Sequence, residues 1–235
     1  MLSVVDSAVP VACWFCHTAQ NDLTLFCPHC GKIQPAIEVD FFRAFSLPRA
    51  FQIDLEALER EFHRLSRKLH PDRFARASEQ EREWSLADTA QLNDAYRTLK
   101  DPLHRTEYLL KLEGAEIGEE HSGKNRKGNE KDLSRVPADL LEEVFELNMQ
   151  LEEMRAARKM GETDPQLQAD LENAKKKFDQ LRDEIDVDLR RKWQIWDEGD
   201  AAAREAAKTA MVALLDRRRY LSNLVRDVTE TLGVR

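Results

Sequence analysis

The sequence predicts an all-α protein: a helical hairpin and a C-terminal three-helix bundle, preceded by a small tetracysteine module. Three observations predict it. Apolar residues recur at intervals of three and four from Leu55 to Leu99 and again from Leu140 to Leu232, the interval at which an α-helix returns a side chain to one face. His70-Pro71-Asp72 interrupts the first stretch, and a proline neither donates a backbone hydrogen bond nor tolerates a helical residue before it. All four cysteines form two C-x2-C pairs within residues 13–30.

Composition narrows the class before any element is placed. A net charge of -8 argues against a general nucleic-acid binder, while basic residues gathered locally favour a specific acidic protein surface. No apolar run approaches the roughly 18 residues of a membrane span. The mildly apolar start has no positive region before it and Arg43 is the first arginine, so neither a secretory signal nor a transit peptide is legible. The chain reads as cytoplasmic, or as already processed.

Cys13-Trp14-Phe15-Cys16 and Cys27-Pro28-His29-Cys30 form paired knuckles that present four thiolates to one tetrahedral metal, and Gly31 lets the chain turn after the last ligand. Zinc in a structural role is the favoured occupant, since four cysteines leave no open position for catalysis. Rubredoxin-like iron, redox-active CxxC pairs and two disulfides are the alternatives, the last disfavoured by the intracellular character of the rest. His17 and His29 lie beside the ligands. So small a module depends on its metal for stability. It occupies residues 1–37, with a link from Pro35 to Asp40.

In the next region, residues 38–113, Leu55, Leu58, Phe62, Leu65 and Leu69 form one apolar stripe behind the N-cap Asp54. Arg60, Arg64, Arg67 and Lys68 cluster on another face, with Glu56, Glu59 and Glu61 nearer the helix start. This makes a positive ridge that leads to the His-Pro-Asp corner. Leu92, Ala95, Tyr96 and Leu99 supply the returning helix, charged outside and apolar inside from Ser78 onward, and it stops at Lys100-Asp101-Pro102. Asp101 and Pro102 open a shorter helix to about Leu112, carrying Leu103, Leu109 and Leu110. Residues 114–136, rich in Gly, Ser, Asn, Lys and Glu, read as a flexible linker.

Residues 137–235 hold the bundle. Its stripes are Leu140, Val144, Leu147, Leu151 and Met154; Leu167, Leu171, Ala174, Phe178, Leu181 and Ile185; and Ala207, Met211, Leu214, Leu221, Val225, Val228 and Leu232, with Arg218 as the one interruption. Gly161 with Asp164-Pro165, and Gly199-Asp200, close one helix and open the next. Trp193 and Trp196 read as packing residues. The first bundle helix has more apolar surface than one seam needs: Leu141, Phe145 and Met149 are rotated from the stripe and flanked by Glu142, Glu146, Glu152 and Glu153. This pattern suits either a protein-docking face or a wide core face.

A basic helix ending in His70-Pro71-Asp72, followed by a second long helix, resembles the J-domain of the DnaJ family of co-chaperones. The order Asp40-Phe41-Phe42, Phe45-Ser46-Leu47-Pro48, His70-Pro71-Asp72-Arg73-Phe74, Leu92-Asn93-Asp94-Ala95-Tyr96-Arg97-Thr98-Leu99 and Pro102-Leu103-His104-Arg105-Thr106-Glu107-Tyr108-Leu109-Leu110 is similar to the HscB-type co-chaperones of iron–sulfur cluster assembly. The resemblance runs over residues 38–235, strongest in the J-like half, and the mitochondrial kind also carries an N-terminal tetracysteine segment that the shorter bacterial kind lacks. It implies that His70, Pro71 and Asp72, with Arg60, Arg64, Arg67 and Lys68, engage an acidic surface of an ATP-bound DnaK-type (HscA-like) chaperone.

Matching the Glu-Leu-x-x-x-Leu pattern at Glu146, Leu147 and Leu151, the resemblance further implies that Leu141, Phe145, Glu146, Met149 and Glu153, with Leu214, bind an IscU-type cluster scaffold. The chain departs from the family in having Glu142 where an apolar residue is usual and Met149 where a polar or acidic one is. The expectation is a non-enzymatic co-chaperone, monomeric or weakly dimeric. A generic J-domain protein for other clients is one alternative, and an enzyme using His70 and Asp72 as an acid–base pair is the other, against which stands the lack of a pocket around a pair two residues apart.

Overall fold

A computed structural model describes residues 11–20, 24–36, 40–117, 137–162 and 164–233, and the chain divides into two compact units, 1–109 and 110–235. The expected linker at 114–136 lies almost wholly outside the described residues. The fold is all-α apart from a two-residue ladder in the first knuckle, where β1 (Val11–Ala12) pairs antiparallel with β2 (Ala19–Gln20). A single bridge between Phe26 and Ile33 closes the second knuckle in the same way.

In the first unit the short helix α1 (Phe41–Ala44) is capped by Asp40 and buries Phe42. The Phe41 ring stacks on Tyr108 at 4.4 Å, and its N–H donates to the Tyr108 hydroxyl at 2.9 Å. Helix α2 (Leu55–Leu69) starts at Asp54, which accepts from the Ala57 N–H, and it ends where Pro71 requires. Residues Pro71–Phe74 then make one 3-10 turn, tighter than the loop expected there. Helix α3 (Glu79–Lys100) opens with a capping box between Ser78 and Glu81.

Two expectations for the hairpin are corrected. Leu55 is exposed, so the apolar stripe of α2 begins in effect at Leu58, one turn beyond the N-cap. The inward face of α3 is apolar only in its second half: Leu92, Ala95 and Leu99 are buried, but in register ahead of them lie buried Glu81, Ser85 and Asp88. Phe62 and Tyr96 meet at the hairpin's flank as stacked rings 4.0 Å apart. Helix α4 (Pro102–Leu112) is capped by Asp101, whose carboxylate accepts from the Leu103 and His104 N–H groups. Buried Arg105 donates to the Phe51 carbonyl at 2.8 Å and the Leu99 carbonyl at 2.5 Å, tying α4 to the loop before α2 and to the end of α3.

The second unit is the bundle of α5 (Leu141–Met160), α6 (Pro165–Glu198) and α7 (Ala201–Leu232). Gly161 ends α5 with a left-handed φ of 75°, and Asp164 caps α6 with Pro165 in its first turn. Gly199 differs from that pattern, with an extended φ of -82°, while Asp200 caps α7 as expected. Trp193 and Trp196 are buried, as are Leu215 and Leu224, which were absent from the expected stripe; Leu214, Leu181 and Leu232 are only half-buried. The interrupting Arg218 is explained by Asp186, which it meets in a two-pronged pair at 2.5 and 3.1 Å.

Candidate functional site

The His-Pro-Asp corner is a hydrogen-bonded turn whose side chains face solvent. The Leu69 carbonyl, left over at the end of α2, accepts from the Ser85 hydroxyl at 2.6 Å and from the Thr89 hydroxyl at 3.3 Å. Helix α3 thereby holds the last residue before the corner in place. Within the turn, the Arg73 N–H donates to the His70 carbonyl at 2.9 Å, and the Asp72 N–H donates to His70 Nδ1 at 3.3 Å. The imidazole and carboxylate themselves point outward, with His70 57% and Asp72 91% exposed and His70 Nδ1 3.5 Å from Asp72 Oδ2. A pair this solvated has no low-dielectric pocket in which to do acid–base work.

The positive ridge on α2 is present but partly neutralised from within. Arg60 lies 3.6 Å from Glu56, Arg64 forks onto Glu61, and the Arg67 guanidinium donates to the His63 carbonyl at 3.1 Å. Lys68 is set over the Phe26 ring of the second knuckle at 5.9 Å. All four cations are exposed. Such surface pairs are weak and exchange readily for better partners.

On α5 the surplus apolar residues are not core. Leu141, Phe145 and Met149 are exposed, the last two at 63% and 59%, while Val144, Leu147, Leu151 and Met154 take the buried seam. Glu142, Glu146, Glu152 and Glu153 surround the row and are exposed too. Leu214 is half-buried on α7.

The four cysteines converge. Their sulfur atoms all lie within 4.8 Å of one another, with Cys13 and Cys30 at 3.8 Å and Cys16 and Cys27 at 3.7 Å. Four thiolates at about 2.3 Å from one ion sit about 3.8 Å apart in a tetrahedron, so the geometry fits a metal and is too long for disulfides. Burial pushes the Cys13 thiol up, but the Cys16 and Phe15 backbone amides outweigh it and lower the pKa to about 6. At Cys30 the Lys32 backbone amide lowers the pKa, yet burial and the other thiols drive it to about 12. His17 and His29 are exposed and outside the cluster.

Sequence reasoning missed Asp88. It is 2% exposed, and neither carboxylate oxygen has a hydrogen-bond partner among the described residues. Burial alone raises its pKa to about 7. It borders a cavity of about 290 Å³ shared with Phe26, Arg64, Leu65 and Lys68. The signal was in the register: 81, 85, 88, 92, 95 and 99 continue one four-three series, with its first three members polar.

No protein-family profile matches the chain. Among curated proteins, it is 31% identical over 171 residues to the iron–sulfur cluster co-chaperone protein HscB of mouse, covering 71% of this chain and 68% of that one. It is 48% identical over 82 residues to a co-chaperone protein HscB homolog of Vibrio cholerae, 35% of this chain and 48% of the relative. The chain thus matches about half the length of that bacterial relative. Among solved structures, chaperone HscB from Vibrio cholerae superposes with a TM-score of 0.54 at 27% identity, over 82% of this chain and 96% of the other. The human co-chaperone protein HscB gives 0.64 at 24% identity, over 94% and 98%, a likeness of fold. Among the described residues, no helix is long and apolar enough to cross a membrane.

Proposed function

The chain belongs to the HscB family of iron–sulfur cluster co-chaperones, and on that premise we propose that it stimulates the ATPase of a DnaK-type, HscA-like chaperone and delivers an IscU-type scaffold for cluster assembly and transfer. The observation that carries this reading is the corner itself, whose backbone is held by Ser85 and Thr89 while His70 and Asp72 face solvent. A preorganised, exposed tripeptide loses little entropy on docking. His70, Pro71 and Asp72 contact the chaperone directly, and Arg60, Arg64, Arg67 and Lys68 steer them toward an acidic surface. Contact favours the hydrolysing state of the chaperone, so the chemistry belongs to the partner and the chain is no enzyme.

The scaffold docks on Leu141, Phe145 and Met149, with Glu146, Glu153 and Leu214 at its margins. Support comes from the exposure of the three apolar residues in one row on α5. Zinc, bound by Cys13, Cys16, Cys27 and Cys30, supplies cross-linking and no reactivity, as four thiolate ligands complete its coordination. The functional parts are a metal module at 1–37, a J-domain at 38–113, a linker at 114–136 and a scaffold-binding bundle at 137–235. The protein works in the cytoplasm, or in the mitochondrial matrix of a eukaryote.

The test is the steady-state ATPase of a DnaK-type chaperone with and without an iron–sulfur scaffold. Wild-type protein should stimulate it, and the scaffold should add synergistically. His70→Gln should abolish stimulation while leaving the circular dichroism spectrum and unfolding midpoint unchanged. Stimulation that survives in the variant would overturn the assignment.

A further inference from the structure

Two residues flanking metal ligands reach out of the tetracysteine module to the start of α3. Lys32, two positions after Cys30, donates from its ammonium to Glu81 Oε1 at 2.8 Å. Trp14, next to Cys13, meets Trp84 edge to face at 5.5 Å and donates its indole N–H to the Ile33 carbonyl at 2.7 Å. The knuckle sets the position of Lys32: the Cys27 N–H donates to the Lys32 carbonyl at 2.8 Å, and the Gly31 N–H donates to the Cys27 carbonyl at 2.9 Å. A left-handed φ of 72° at Gly31 makes that return possible.

Glu81 is where this contact acquires a consequence. Its second oxygen accepts from the Ser78 N–H at 3.2 Å and the Ser78 hydroxyl at 3.0 Å, completing the capping box of α3. Its carboxylate is 7% exposed, and a charge so buried is tolerated only when paired. The Lys32 ammonium, ahead of the Ser78 contacts, holds it below the usual carboxylate range. Ser78 begins four residues after the 3-10 turn of Pro71–Phe74 ends. The same helix carries Ser85 and Thr89, which hold the Leu69 carbonyl on the near side of the corner.

We propose that the tetracysteine module is a brace for the His70-Pro71-Asp72 corner, with Lys32 as the positioning residue that transmits the metal-bound state of the knuckle to the first turn of α3. With the knuckle closed on its metal, Lys32 neutralises Glu81, the capping box stays shut, and the segment after Phe74 is fixed. With the knuckle open, Glu81 is a buried charge without its cation, and the first turn of α3 frays to let water reach it. The corner then samples more conformations, and docking on the chaperone weakens in proportion to the fraction left in the competent one. The functional consequence rests on the co-chaperone reading; the coupling between knuckle and α3 does not.

Hydrogen–deuterium exchange on the full, zinc-loaded chain tests the coupling. Lys32→Met should speed exchange in peptides covering 75–83 by about tenfold, the scale of a lost charge-assisted hydrogen bond, with α6 and α7 unchanged. Chelation of the metal should produce a comparable acceleration in the same peptides, and should add little in Lys32→Met, since both break one link. Lys32→Arg, which keeps the cation, should restore protection. In the ATPase assay, Lys32→Met should raise the concentration for half-maximal stimulation several-fold with the maximum retained. Unchanged exchange in 75–83 on Lys32→Met or on chelation would overturn the brace, as would acceleration spread evenly over the whole first unit. Wild-type protein that fails to stimulate any DnaK-type chaperone would overturn the co-chaperone reading and leave the exchange result standing.

Discussion

The seam between α6 and α7 and the seam between α2 and α3 use the same four-three spacing for opposite ends. Between α6 and α7 the buried positions are apolar along two long helices, from Leu171, Phe178 and Leu189 to Met211, Leu221 and Val228, with Thr231 a polar exception at the end of α7. In the hairpin, α3 devotes half of its seam to Glu81, Ser85 and Asp88. Apolar burial is non-directional and stabilises without fixing particular atoms, whereas a buried polar side chain finds its partner at one position and one angle. The bundle gains stability; the hairpin gives up some of it so that Ser85 holds one carbonyl and Glu81 one turn, while Asp88 has no such partner among the described residues.

That contrast breaks most visibly in the bundle. Phe178→Ala, at a side chain 1% exposed, should cost about 3–5 kcal/mol, read as a lower denaturant midpoint in α5–α7, while exchange protection at the corner stays as it was. A loss below about 1 kcal/mol would mean that the seam repacks freely.

The next effect in size has the opposite sign. The Asp88 carboxyl titrates at about 7 in the fold, against an ordinary value of 3.8. Between those values the folded state holds the extra proton, so this group's contribution to stability falls as pH rises from about 4 to 7. The penalty is complete above that range and absent below it. Asp88→Asn should therefore stabilise the first unit by roughly 2–4 kcal/mol at pH 8, with the gain fading toward pH 4. A gain that does not change with pH would place a counter-charge beside this carboxylate.

The smallest expected change in stability marks the exposed row on α5. Phe145→Ala, at a side chain 63% exposed, should shift unfolding by no more than about 0.5 kcal/mol. Scaffold binding, measured by calorimetry, should weaken by about tenfold or more, as expected for an aromatic anchor. A stability loss as large as that of a core residue would return the row to the bundle interior.

Much of this architecture can be read along the chain because its signals are local. Pro71 stops α2; Asp54, Ser78, Asp101, Asp164 and Asp200 cap helices within three residues of themselves; and cysteine spacing picks out four thiols that meet in space. The exposed row on α5 could be named as surplus, but its exposure depended on which face α6 and α7 covered. The burial of Glu81 and Asp88 was less legible still: both continue the four-three series of Leu92, Ala95 and Leu99, but a carboxylate at such a position reads as solvated, as the other carboxylates of α3 are.

The one-dimensional pattern of apolar spacing, proline, caps and cysteines was enough to place the long helices, most of their ends, the corner and the four cysteines that converge. These are set by dihedral preferences and by contacts a few residues apart. Only the tertiary structure decided that Lys32 meets Glu81 across 49 residues, that Ser85 holds Leu69 across 16, and that Asp88 is left with no hydrogen-bond partner among the described residues. Such pairings depend on how whole elements pack, and packing is a property of faces brought together, which no single stretch of chain contains.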